Sequence, residues 1–329
     1  MKYGVIGTGY WGSNHVRVAA EIQAEGLIDE VILCDSDEGR VSELAANYDF
    51  PYTTGVQELI RMDVDAVTIA TPSDTHYSIS KSLLEAGVNV LVEKPLTTDS
   101  KDAREIVSLA KKKGRTIAVG HIFRYHPALI ELKHRIDRGE FGHIKYVNLT
   151  RFSFRVPRAT VGTLYSLAIH DVDIASYLLG KLPVTAYCNL DDVIIDGIDE
   201  TATIVLEYGD ATGVIEESWQ VPIFNKRRDL VIVGTEKSAY IDFMKSNEIE
   251  VYESRIKSVD GEMRAREEGK KVIKVAASEP LRMEVEDFLN ACKSDQIPKA
   301  SGEIGLSAVE LLESLEKSAE SNQVVEIVD

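Results

Sequence analysis

Met1-Lys2-Tyr3-Gly4-Val5-Ile6-Gly7-Thr8-Gly9-Tyr10-Trp11-Gly12 decides the reading of this chain. An apolar strand runs straight into a G-x-G-x-x-G, and the residues from Ser13 to Glu25 read as a helix. Each glycine has a separate physical task. Gly7 permits a tight turn, Gly9 lets backbone approach a pyrophosphate, and Gly12 lets the helix pack closely on the strand. Thr8, Tyr10 and Trp11 complete the loop, and free N–H groups at the helix start face the phosphates. Alone, the motif is equally a glycine-rich turn without a ligand, so its context has to decide.

The context is a second strand, Glu30-Val31-Ile32-Leu33-Cys34-Asp35, that ends in an acid. Asp35 lies 23 residues after Gly12, near the spacing of roughly 20 for a carboxylate that binds the adenosine ribose hydroxyls. A carboxylate there repels a 2′-phosphate, and no basic residue follows until Arg40, which is grouped here with the cofactor-binding residues. NAD is therefore expected over NADP. The competing reading of Asp35 is a cap on the helix that starts near Asp37.

At 329 residues, two domains with cores of their own are expected. No apolar run approaches the ~20 residues of a membrane span, and the chain begins in a core strand, so a cytoplasmic protein without a signal peptide is expected. The net charge of −17 excludes nucleic acid as an expected partner, because phosphate binding needs a basic face. The charge is uneven. Between Lys181 and Lys226 there are nine carboxylates and no Lys or Arg, whereas residues 122–158 carry eight Lys/Arg against three carboxylates. The latter region suits an anionic ligand. Cys34, Cys188 and Cys292 are far apart, and the seven histidines form no metal-binding spacing, so no metal is expected.

Residues 1–120 alternate apolar strands with amphipathic helices, the pattern of a parallel sheet covered on both faces. In such sheets ligands bind beyond the carboxyl ends of the strands. Two of those ends are chemically suggestive. Thr71-Pro72-Ser73-Asp74-Thr75-His76 is a polar loop with a histidine at a helix start. Glu93-Lys94-Pro95-Leu96 puts a lysine and a glutamate after a strand that should be buried, and Lys94–Pro95 is a candidate cis bond. A solvated surface charge is the competing reading of Lys94.

Together, Gly7 to Gly12, Thr71-Pro72 with His76, and Glu93-Lys94-Pro95-Leu96 resemble the Gfo/Idh/MocA family of NAD(P)-dependent oxidoreductases, which includes glucose–fructose oxidoreductase, inositol dehydrogenases and nucleotide-sugar dehydrogenases. The resemblance covers essentially the whole chain, and the E-K-P run is its most specific local signature. It implies an α/β protein: a Rossmann doubly wound parallel sheet over 1–121, then a substrate-binding α/β domain over 122–329. The second domain should hold a large, mostly antiparallel open sheet that serves as the interface of a homodimer or homotetramer. Strand-like runs at 184–190, 200–208, 211–219, 229–234 and 238–243, joined by short turns such as Tyr208-Gly209-Asp210, independently read as antiparallel hairpins.

The stretch Thr163-Leu164-Tyr165-Ser166-Leu167-Ala168-Ile169-His170-Asp171-Val172-Asp173 reads as a helix whose apolar run is broken by His170. A core histidine is the plain reading. The resemblance implies more, since the segment is similar to the family's D-x-x-x-H-D-x-D helix, whose histidine is an acid/base at the substrate. His170, Asp171 and Asp173 match, while Ser166 stands where many members carry aspartate. Four residues apart, Ser166 and His170 should share a helix face. Strand alternation puts Arg151 and Arg155 on one face, with Arg158 nearby, and Arg228 belongs to the basic run Lys226-Arg227-Arg228. Either set suits a carboxylate or diphosphate, and surface ion pairs are the competing reading. Gly120 to Pro127 resembles the family's hinge, which offers His121 and Arg124 as substrate contacts.

These features predict an NAD-dependent dehydrogenase acting on a secondary alcohol of a sugar or cyclic polyol. The substrate is expected to be a nucleotide sugar such as UDP-N-acetylglucosamine rather than an inositol or free aldose. Lys94 and His170 are the expected catalytic residues. A non-catalytic, NAD-sensing regulator of the same fold is the alternative from another class; Ser166 favours it, and retention of Lys94 and His170 opposes it.

Overall fold

A computed structural model describes residues 1–157, 161–223, 225–245, 247–294 and 296–327. The chain divides into two compact units, Met1–Ile122 with Glu279–Glu310, and Phe123–Ser278 with Leu311–Asp329. The expectation was a second domain continuous over 122–329. The return of 279–310 to the first unit was not anticipated.

In the first unit, β1 (Lys2–Ile6), α1 (Tyr10–Ala24), β2 (Glu30–Cys34), α2 (Glu38–Tyr48), β3 (Tyr52–Thr53), α3 (Val56–Arg61), β4 (Ala66–Ile69), α4 (His76–Glu85), β5 (Asn89–Val92), α5 (Ser100–Lys113) and β6 (Ile117–Val119) follow in turn. All strands are parallel, in the order β3-β2-β1-β4-β5-β6. The order reverses beside β1, so a crevice opens at the carboxyl ends of β1 and β4. Apolar strands buried on both faces make this possible: all four residues of β4 and of β5 are buried. Gly114 closes α5 in a left-handed conformation at φ 61°, and Asp99 caps its start by accepting from the Lys101 and Asp102 N–H groups.

The second unit begins with α6 (Pro127–Asp137) and β7 (Ile144–Ser153). A π-helical segment, Leu164–Ala168, leads directly into α7 (Ile169–Leu179). Then come β8 (Thr185–Asp191), β9 (Thr201–Glu207), β10 (Thr212–Ser218), β11 (Lys226–Gly234), β12 (Ser238–Asp242), β13 (Glu248–Tyr252), β14 (Arg255–Val259), β15 (Glu262–Arg266) and β16 (Lys270–Lys274). Helices α8 (Pro280–Lys293) and α9 (Gly302–Ser321) follow, and β17 (Val325–Glu326) ends the described chain. Nine strands form one sheet in the order β16-β13-β12-β11-β7-β10-β9-β8-β17. Only the β7–β10 pairing among them is parallel, so the sheet is mixed and mostly antiparallel, as expected.

Each unit has its own core. In the first, Val16, Ala19 and Ile22 of α1 pack with Tyr3, Val5 and Leu33 of the sheet and with Leu281, Val285 and Phe288 of α8. Packing of the apolar face of α8 on this core holds 279–310 in the unit; burying each such side chain contributes about 1.5–3 kcal/mol. In the second, Leu149, Ile204, Ile215, Leu230 and Ile241 of the sheet meet Ile169, Val172 and Ala175 of α7. Strands over 248–274 had no counterpart in the sequence reading. β15 and β16 are charged and largely exposed, so hydrophobic alternation is faint there, whereas β13 alternates and buries Ile249 and Val251.

Candidate active site

The glycine turn of the first unit is built as its spacing demands. Gly7 adopts φ +87°, and a Cβ there would lie 2.6 Å from the Ala70 carbonyl oxygen. A Cβ on Gly12 would fall 1.7 Å from the Gly7 carbonyl oxygen. Both glycines are therefore required by backbone packing. Gly9 is different. It is the residue preceding α1, with φ −68° and ψ −166°, and no atom lies within 4 Å of where its Cβ would be. That open face beside the N–H groups that start α1 fits a dinucleotide pyrophosphate. Tyr10 is almost wholly exposed beside it, and Thr8 is buried.

Asp35 sits at the end of β2 and is held by four donors. Its Oδ2 accepts from the Thr8 N–H (2.7 Å), the Thr8 hydroxyl (2.9 Å) and Arg40 (3.2 Å), and its Oδ1 from the Asp37 N–H (3.0 Å). Burial alone would raise its pKa, but these donors hold it below the usual carboxylate range. Oδ1, with a single donor, keeps room for a ribose hydroxyl. Arg40 also bonds Asp37 (2.9 Å). One guanidinium is thus shared by two carboxylates, and the corner stays net negative, which disfavours a 2′-phosphate. The alternative reading of Asp35 as a helix cap is corrected: Asp37 is the residue that caps α2.

Glu93 and His76 were expected to contact the cofactor, and the structure gives both a different task. Glu93 follows β5 and accepts from Trp11 Nε1 and the Lys94 N–H (3.2 Å), with His15 Nε2 at 2.8 Å. Burial opposes its ionisation, yet the His15 contact and its other partners keep it below the ordinary range. Glu93 therefore ties the β5 end to α1, behind the glycine turn. Gly120 makes room for it, since a Cβ there would lie 2.8 Å from Glu93 Oε2. His76 is 1% exposed, with Nδ1 2.7 Å from the Pro95 carbonyl oxygen and Nε2 3.0 Å from that of Thr71. Both ring nitrogens face backbone carbonyl oxygens, and the neutral ring donates to one of them, so His76 packs between the Thr71-Pro72 loop and the Lys94-Pro95 turn. The Lys94–Pro95 bond is cis, and Lys94 is half-buried. His121 is buried just beyond β6. His15 was missed by the sequence reading; its position four residues after Trp11, on one helix face, was the available signal.

In the second unit the start of the His170 helix is fixed by Asp199. Its carboxylate accepts from the Thr163 hydroxyl (2.6 Å) and the Leu164 N–H (2.8 Å). Gly162 leaves space for that carboxylate, which would lie 1.7 Å from an added Cβ. The next turn is π-helical, with the Ile169 N–H bonded back to the Leu164 carbonyl. The expectation that Ser166 and His170 share a face assumes 3.6 residues per turn, and an i→i+5 turn breaks that phase. Ser166 itself is buried. His170 is half-buried and meets Phe123 edge-on, with ring centroids 5.2 Å apart.

The arginines expected to grip substrate divide into two groups. Arg151 is 3% exposed and gives Nε and a terminal nitrogen to Asp171 Oδ1, at 2.8 and 2.5 Å. Its guanidinium also lies 4.3 Å from the Phe123 ring. Arg124 gives Nε and a terminal nitrogen to Asp173 (2.9 and 2.7 Å). Arg151, Asp171 and Arg124 are thus committed to internal ion pairs, a correction to their reading as substrate contacts. β7 ends at Ser153, so strand alternation does not carry to Arg155, which is exposed and lies 4.4 Å over the buried Trp219 ring. Arg158 lies outside the described residues.

Arg228 remains as the open cation. It is the cross-strand partner of Arg151, and among the described residues its guanidinium makes no hydrogen bond or ion pair. Burial first, and then the Arg151 charge, push its pKa down. Lys226 is lowered too, chiefly by Arg228 and then by burial, Arg155 and Arg151. The Asp171 and Glu217 charges offset this only in part, so the cations depress one another on balance. Nearby, His126 is lowered to about 4 by burial and by Arg151. Among the described residues no three His, Cys, Asp or Glu side chains are grouped to hold a metal ion, and no helix is long and apolar enough to cross a membrane.

Comparison with known proteins agrees with this construction. Residues 1–121 match the model of an oxidoreductase family with an NAD-binding Rossmann fold, and residues 129–240 match the GFO/IDH/MocA C-terminal domain. UDP-N-acetylglucosamine 3-dehydrogenase from Acidithiobacillus ferrooxidans is 31% identical over 294 residues, 88% of each chain. A solved structure of that enzyme superposes with a TM-score of 0.84 over 98% of each chain, at 27% identity. Inositol 2-dehydrogenase from Rhizobium meliloti is 24% identical over 98% of each chain. The chain belongs to the Gfo/Idh/MocA family, as an NAD-dependent oxidoreductase acting on CH–OH groups.

Proposed function

We propose that this enzyme oxidises, or in reverse forms, a secondary alcohol on the ring of a nucleotide sugar of the UDP-N-acetylglucosamine type. The reading of the substrate rests on one observation: Lys226 and Arg228 form a cationic row in which the Arg228 guanidinium makes no hydrogen bond or ion pair among the described residues. A diphosphate answers that row by charge-assisted bonds, and a neutral inositol or aldose does not. The UDP-sugar relative supports the same reading.

Gly7, Thr8, Gly9, Tyr10, Trp11 and Gly12 shape the pyrophosphate turn, Asp35 takes the ribose, and Thr71-Pro72 line the crevice at the strand ends. When bound, NAD supplies the hydride acceptor. The protein's share is the proton. His170 accepts it from the substrate hydroxyl, which an imidazole does well near neutrality. Lys94 donates a hydrogen bond to the same oxygen and stabilises its developing negative charge. His121 and Ser166 add polar contacts to the sugar. The reading includes a cytoplasmic setting, supported by three cysteines held as free thiols, and a homo-oligomer formed through the open face of the nine-stranded sheet. Light scattering in solution checks the latter, and a monomer refutes it.

Reduction of NAD, followed by absorbance with a panel of UDP-sugars, free sugars and inositols, tests the assignment. Turnover with a UDP-sugar, lost by at least about a hundredfold in Lys94→Met and in His170→Ala, is expected. Turnover unchanged in both variants refutes the mechanism. NAD binding without turnover on any substrate favours an NAD-sensing regulator.

A further inference from the structure

On the two acids that flank Arg151, three buried carboxylate oxygens lack a donor among the described residues: Oε1 and Oε2 of Glu217, and Oδ2 of Asp171. Both side chains are 0% exposed. They come from different elements. Glu217 lies on β10, directly across from Arg151 of β7, and Asp171 descends from α7. Arg151 spends its short bonds on Asp171 Oδ1 and lies 4.0 Å from Glu217 Oε1. The charged groups facing Glu217 are Arg151 from β7, Asp171 from α7 and, one strand further along the row, Arg228 from β11. The β9 neighbour is Ala202.

Two ionised carboxylates packed together, with the short bonds of Arg151 spent on Asp171 Oδ1, would bury like charges side by side and leave all three oxygens unanswered. Such a charge is expensive without a donor. One proton relieves the repulsion and engages two of the three oxygens. Placed on Glu217, it removes one of the like charges and makes an O–H donor for Asp171, whose carboxylate is within hydrogen-bonding reach. We propose that Glu217 is a protonated positioning residue: its carboxylic acid donates to Asp171 and thereby fixes the first turn of α7, which carries His170. It touches neither substrate nor cofactor. Burial first and Asp171 second push Glu217 well above the ordinary carboxylate range, in keeping with this.

Glutamine imitates a protonated glutamate, so Glu217→Gln in the full-length protein separates the possibilities. The kinetic arm rests on His170 being the base; the spectroscopic and stability arms do not. The infrared difference spectrum, wild type minus Glu217→Gln, is expected to show one protonated-carboxyl stretch at neutral pH. The folded chain holds a proton that the unfolded chain releases above about pH 4.3, so wild type loses stability relative to Glu217→Gln as pH rises from there. Glu217→Ala is expected to lower kcat tenfold or more with KM changed less than threefold, and Glu217→Gln to restore kcat to within about twofold. Absence of the carboxyl band, or a glutamine variant as impaired as the alanine one, overturns the proposal. Should Glu217→Gln not fold, Asp171→Asn replaces it in the spectrum. The Glu217 band must then shift or vanish as Arg151 is released to Glu217, and an unmoved band overturns the pairing.

Discussion

Replacing Arg151 by methionine tests how the second unit is held together. The guanidinium is 97% buried and makes two bonds to Asp171 Oδ1, at 2.8 and 2.5 Å, against an Asp171 that is wholly buried. Each charge-assisted bond contributes about 1.5–3 kcal/mol, and the Phe123 face at 4.3 Å adds about 0.5–2 kcal/mol. Methionine keeps much of the apolar stem and none of the charge. What dominates is the carboxylate left behind, because removing one partner of a buried pair costs about 3–5 kcal/mol. For a unit of this size that corresponds to a fall in Tm of about 6–20 °C. Urea unfolding followed by circular dichroism at pH 7 measures it. Arg151→Met with Asp171→Leu, which removes both charges, is expected to recover most of the loss. A loss below about 1 kcal/mol, or a double variant no better than the single, refutes the assignment of Arg151 to the internal pair and returns it to the substrate.

Gly12→Ala places a methyl 1.7 Å from one backbone oxygen, so the turn must open; a loss of NADH affinity of at least about a hundredfold is expected by fluorescence titration, and near-normal binding refutes the packing. Glu284 on α8 is 1% exposed, has no donor on either oxygen among the described residues, and is raised well above the ordinary range by burial and then by Glu93. A raised carboxyl lends stability that is complete below its unfolded value, about 4.3, and is lost as pH rises toward the folded value. Glu284→Gln is therefore expected to gain Tm relative to wild type as pH rises from about 4.5 to 8. Melting curves that run parallel across that interval refute it.

The first unit was legible because its signals are local. A glycine triplet, an acid at a strand end and the strand–helix alternation all lie within a few residues of what they specify. The same locality explains what was misread. Glu93 and His76 stand at the right strand ends, but their partners, Trp11, His15, Thr71 and Pro95, are fixed by pairing across the sheet. In the second unit the arginines were visible as charge and invisible as pairs. The partner of Arg151 is 20 residues away on a helix, and that of Arg124 is 49 residues away. The π turn at Leu164–Ala168 leaves no mark in an apolar run, so the assumed angular phase between Ser166 and His170 carried no warning. Helix α8 was read as a helix, but nothing in its own periodicity says which core it will join.

The three glycines of the opening turn leave different records in descent. Gly7 and Gly12 answer to neighbouring backbone, so any descendant that keeps the fold must keep them, whatever it binds. Gly9 answers to nothing in the protein, and its open side is an obligation to a ligand alone. A relative that retains glycine at the first and third positions but has drifted at the second has kept its architecture and released its cofactor.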